Sequence, residues 1–107
     1  MEQLVAEVLE EMKIELEITD ERDIAILQIK IKNAVREIKA AFNFKPYHKE
    51  DYILEQMENH LSNIKSLAMY DYMKIGAEGE SAHSEKNISR EYVDRNKCFA
   101  GIVPFAD

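Results

Sequence analysis

The fold turns on residues 19–42, TDERDIAILQIKIKNAVREIKAAF, a run that no Gly or Pro interrupts. Within it Ile24, Leu27, Ile31, Ala34, Val35, Ile38 and Phe42 recur at threes and fours, which places them on one arc of a helix. Thr19 reads as the N-cap, and Asp20, Glu21 and Asp23 stand in a first turn where the helix dipole favours negative charge. Ile26, Ile29 and Ala40 fall on the opposite side, beside Asn33 and Arg36, so this helix carries two apolar faces. Either the last segment of the same chain covers the second face, or another subunit does.

Working outward, Leu4, Val5, Val8, Leu9 and Met12 make one face of an earlier helix from Glu2 to about Lys13, with Glu7, Glu10 and Glu11 on the other side. Ile14-Glu15-Leu16-Glu17-Ile18 alternates strictly, the period of a short extended stretch. After the long helix, Phe44-Lys45-Pro46 breaks the pattern, since the residue before Pro avoids helical geometry. A third helix is expected from about Glu50 to Ile75, on the stripe Ile53, Met57, Leu61, Ile64, Ala68, Tyr72 and Ile75. Gly76 serves as its C-terminal stop.

Between Ala77 and Asn87 the composition changes to Gly, Ser, Glu and His, and no helical stripe survives. Ile88 to Val93 has strand character and pairs in this reading with Glu80 to Ser84 as a β-hairpin turning near Glu85-Lys86-Asn87. Asp94 to Asp107 holds Cys98, Phe99, Ile102, Val103 and Phe105, and a short helix there must end before Pro104. The expectation is a mainly α protein. It is a small bundle of three long helices plus a short C-terminal helix, with a β-hairpin insertion. The single domain divides into a bundle (1–76), a hairpin or flexible loop (77–93) and a C-terminal docking segment (94–107).

A chain of 107 residues fits one domain and excludes a doubly wound nucleotide-binding pair or a β/α barrel. Twenty-one acidic residues against fourteen basic ones give a net charge of -7, which argues against a dedicated nucleic-acid binder, because such affinity comes from Lys and Arg neutralising phosphates. The single Cys98 makes no internal disulfide, and no basic, apolar, small-residue leader opens the sequence, so a reducing cytoplasm is the expected compartment. No apolar run approaches the roughly 20 residues that span a bilayer.

The richest cluster of reactive side chains is Glu78, Glu80, His83 and Glu85. A divalent metal needs several convergent ligands, and this stretch holds one His, so a solvated or interface loop is the simpler reading and no cofactor is expected. His48 and His60 have no neighbouring nucleophile, and Cys98 has no His close in sequence. Gly76, Gly79 and Gly101 do not form a phosphate loop, and no nucleotide-binding, zinc-protease or nucleophile-elbow motif occurs. Tyr47, Tyr52, Tyr70, Tyr72 and Tyr92 are not interleaved with basic residues, which favours core packing over base stacking. Met12, Met57, Met69 and Met73 read as helix-face filler. The chain is therefore not expected to be an enzyme.

One stretch exceeds generic pattern. Leu67-Ala68-Met69-Tyr70-Asp71-Tyr72, Lys74 to Ser81, His83-Ser84-Glu85, Ile88-Ser89-Arg90, Tyr92 and Ile102-Val103-Pro104-Phe105 together resemble the small head-tail connector (adaptor) proteins of tailed phages, commonly encoded by prophages. The resemblance covers roughly the last 40 residues. Leu16-Glu17-Ile18-Thr19 before Asp20, Glu21 and Asp23 is similar to that family's entry into its long second helix. Glu17 stands where the family often has Arg, and Lys86-Asn87 replaces a commoner Asn-Gly turn.

The resemblance implies a homo-oligomeric ring, dodecamer-like in the virion, beneath the portal at the head-tail interface, with the subunits in the bacterial cytoplasm before assembly. The ring extends the DNA channel, docks on the portal protein and presents its other surface to a head-closure stopper or tail-completion protein. DNA passes without specific binding, and no membrane is involved. In this reading Ile26, Ile29 and Ala40 form a subunit interface. Phe99, Ile102, Val103, Pro104 and Phe105 dock on the portal or a neighbour. Glu78, Glu80, Ser81, His83 and Glu85 face the lumen. The isolated chain is expected to leave its C-terminal apolar residues uncovered. The alternatives are a small dimeric helical regulator or antitoxin-like module, and an enzyme that uses a metal on Glu78, Glu80 and His83.

Overall fold

The computed structural model describes residues 1–79 and 95–106, with residues 75–79 as backbone. Helix α1 is Glu2–Glu15, and it buries Leu4, Val5, Val8 and Met12. The expected extended stretch at Ile14–Ile18 is instead the end of this helix and its closing turn. Glu17 adopts a left-handed conformation with φ 54°. Its amide bonds Ile14 O at 3.2 Å while the Ile18 amide bonds Lys13 O at 3.0 Å, the paired closure of a Schellman motif. Leu16 and Ile18 turn in against the core and Ile14 turns out. The alternation is real, but a helix terminus produces it.

Helix α2, Glu21–Phe42, matches the expected stripe: Leu27, Ile31, Ala34, Val35, Ile38 and Phe42 are buried. Its N-cap is Asp20 rather than Thr19, and the Asp20 carboxylate accepts from the Arg22 amide at 2.7 Å. The helix thus begins one residue later than the sequence suggests. It ends at Asn43, left-handed at φ 57°, a geometry the short Asn side chain tolerates.

The expected third helix is two. Helix α3 spans Glu50–Asn59 and helix α4 spans Leu61–Gly79, parted at His60 with φ −117° and ψ 31°. No Gly or Pro marks the break. At the break the imidazole Nδ1–H donates to Gln56 O at 3.0 Å, the carbonyl that an uninterrupted helix would pair with the His60 amide. That amide bonds Met57 O instead. Downstream, α4 runs through Gly76 and ends at Gly79, so Gly76 is not the stop.

Helices α1, α2 and α4 share one core, to which α4 contributes Ile64, Leu67 and Ala68, and α3 lends Met57. Tyr70 is also buried, and no buried polar or charged residue occurs among the described ones. Lys65 ties α4 to α1, reaching Glu15 at 2.6 Å and Glu11 at 3.1 Å. The expected short C-terminal helix is a 3₁₀ helix, Arg95–Phe99, which packs on α4 and ends before Pro104. The expected hairpin lies outside the described residues.

Candidate assembly surfaces

The C-terminal segment forms a strap across one end of the bundle. The Asn63 side chain, projecting from α4, donates from Nδ2 to Cys98 O and Ala100 O, both at 2.8 Å. Farther along, the Phe105 amide bonds Phe42 O at 2.9 Å, and Asn43 Nδ2 donates to Phe105 O at 2.9 Å. The left-handed turn at Asn43 therefore ends α2 and also presents an amide to the strap. At the other end Arg95 reaches Asp71 at 3.0 Å and Glu37 at 2.9 Å, linking the strap to α4 and α2. Its guanidinium holds its proton more tightly than usual, chiefly through the bond to Asp71 and then that to Glu37.

Phe105, near the end of the strap, joins an aromatic cluster built by the turn after α2. Phe105 lies 5.6 Å from the Phe44 ring and 4.5 Å from His48, and His48 stacks on Tyr52 at 5.2 Å. His48 Nδ1 accepts from the Lys45 amide at 2.8 Å, which fixes the ring's orientation. Phe99, Ile102 and Phe105 are half-buried against the chain's own core, contrary to the expectation of an uncovered C-terminus. Val103 and Pro104 stay in solvent, Val103 at 76% exposure.

The strap does not cover the outer face of α2. Ile29 is 55% exposed, Ala40 is exposed, and Ile26 is half-buried. Arg22, Lys32, Arg36 and Lys39 share this face, all exposed. A groove of about 550 Å³ between the start of α1 and α2 is floored by Val5 and Val35 and rimmed by Lys32, Arg36 and Lys39. On a chain of net charge -7, this is a concentration of cations.

Glu78 lies within α4, and Glu80, Ser81, His83 and Glu85 lie outside the described residues. Among the described residues, no group of three or more His, Cys, Asp or Glu converges as a metal site. Cys98 is half-buried, and His48 and His60 are both engaged by backbone. Tyr70 is buried and Tyr72 half-buried, as core packing predicts, and burial, then Asp23 and Asp20, pushes the Tyr72 hydroxyl above its ordinary pKa. The α2 face was legible from periodicity, and the strap's anchors were not. Asn43, at a helix end before a Pro turn, carried a local signal for left-handed geometry. Asn63 and Arg95 carried none.

These features define a small helical protein whose described surface offers contact faces, a class suited to assembly. Over residues 6–103 the sequence matches the family described as phage gp6-like head-tail connector protein, and the chain belongs to that family. It is a structural connector of the phage virion, one that assembles with other virion proteins. No curated protein and no solved structure matched the chain. No helix among the described residues is long and apolar enough to cross a membrane.

Proposed function

We propose that this connector forms a homo-oligomeric ring beneath the portal of a prophage-encoded virion, extends the DNA channel, and docks a head-closure stopper or tail-completion protein. The family match across residues 6–103 carries the proposal and favours it over a dimeric regulator. The open α2 face around Ile26, Ile29 and Ala40 is the subunit interface. Head-to-tail rings need two different surfaces on each chain, and this is one of them.

The C-terminal segment is the portal-docking element, with Val103 and Pro104 making first contact because they already stand in solvent. Phe99, Ile102 and Phe105 become available to the portal or a neighbour when the strap lifts. Glu78, Glu80, Ser81, His83 and Glu85 face the channel, where a wall poor in cations lets the duplex slide, since phosphate binding scales with basic contacts. The subunits are made in the host cytoplasm and end at the head-tail interface. The full chain is expected to capture the portal protein encoded in the same genome, and a chain truncated after residue 93 to lose it. Equal recovery would refute C-terminal docking.

A further inference from the structure

The outer faces of α1 and α2 carry matched features of opposite charge. Ile14, on α1, is 76% exposed, and Ile29, on α2, is 55% exposed; each is the most exposed large aliphatic side chain of its helix. Reading back from Ile14, Glu10 is four residues away and Glu7 seven. Reading forward from Ile29, Lys32 is three residues away and Arg36 seven. At about 1.5 Å rise per residue, the second charge on each helix stands roughly 10.5 Å from its Ile, and each set lies within an arc of about 60°. Glu7, Glu10, Lys32 and Arg36 are all exposed. Glu10 holds only its helix neighbour Lys13, while Glu7, Lys32 and Arg36 are in no ion pair among the described residues.

We infer that α2 of one copy receives α1 of the next in antiparallel register, with Ile14 against Ile29, Glu10 against Lys32 and Glu7 against Arg36. The contact rests on the ring reading above and names its missing counter-surface. Both helices turn these faces away from the core they share, so a single chain cannot satisfy the pairing. The two surfaces differ, so each docking leaves an α1 and an α2 face free for another copy, and the assembly propagates until it closes. Duplex DNA would match the cations alone. It offers nothing to the exposed Ile29, and the chain's net charge of -7 opposes it.

The test is site-directed disulfide formation in a Cys98→Ser background, with the chain alone and with the portal protein encoded in the same genome. Chains carrying Ile14→Cys mixed with chains carrying Ile29→Cys should give a linked dimer that neither gives alone. The doubly substituted chain should give a ladder beyond dimer. Arg36→Glu should cut the linkage yield roughly tenfold, and Glu7→Arg on the partnering chain should restore it, a rescue that a folding defect would not show. Rings visible by electron microscopy without the 14–29 linkage overturn this pairing and leave the ring reading standing. Linkage that stops at a reciprocal dimer upholds the pairing and overturns the ring. A chain that stays single under both conditions overturns both. Binding of a short DNA duplex that Arg36→Glu abolishes, without linkage, reassigns the α2 face to DNA.

Discussion

Replacing Asn63 by Ala tests how the strap is held. The substitution removes both Nδ2 bonds, to Cys98 O and Ala100 O, and leaves the α1–α2–α4 core intact, because Asn63 is only half-buried and contributes no core surface. A neutral hydrogen bond contributes about 0.5–1.5 kcal/mol net, so the pair supplies about 1–3 kcal/mol to the closed strap. At about 1.4 kcal/mol per decade, local opening should become roughly five- to 150-fold more frequent. Amide hydrogen exchange reads this directly at Ala100, Ile102 and Phe105, whose amides bond Lys97 O, Phe99 O and Phe42 O in the closed strap. Core amides such as that of Ile38 should exchange as before, since the strap opens without global unfolding. Val103→Ser, on a solvent-facing side chain, is the matched control and should leave these exchange rates unchanged. Unaltered exchange at Ile102 and Phe105 in Asn63→Ala would show that Asn63 does not fasten the strap. If the strap also docks the portal, the variant should capture portal at least as well as the parent, because a segment already released no longer loses affinity to its closed state.

Three further outcomes follow from local geometry. Glu17→Gly should raise stability by about 0.5–1 kcal/mol in thermal or denaturant melts, because a β-carbon is strained at φ 54° and Gly is not. Asp20→Ala should cost about 1 kcal/mol while Thr19→Ala costs little; the reverse order would put the cap back on Thr19. At high pH the fold should weaken from about pH 10 upward. Lys65, bonded chiefly to Glu15 and then Glu11, and Tyr72, desolvated and near Asp23 and Asp20, both have folded pKa values above their unfolded ones. Their contributions are therefore complete below the unfolded values and are lost as pH rises through the folded ones. Lys65→Met with Tyr72→Phe should flatten that alkaline limb, as measured by urea melts across pH.

Periodicity by itself determined the helical class and the buried stripe of α2, because a core-facing helix must repeat its apolar residues at threes and fours whatever it packs against. It also exposed the second face through Ile29 and Ala40, and the family resemblance in the last third of the chain pointed to a connector. Three features needed the folded molecule. The stretch Ile14–Ile18 alternates like a strand, yet Leu16 and Ile18 reach the core only by way of a left-handed residue, and a non-Gly residue at that position gives no warning. At the break the His60 ring bonds Gln56 O and rests edge-on against Phe42, 4.9 Å away, a contact across to α2 that no local pattern encodes. The strap depends on Asn63 and Arg95, whose partners stand 24 to 58 residues away in the chain. Local pattern encodes what a residue does within its own turn of helix. Which distant carbonyl or carboxylate it meets is decided by how the helices pack.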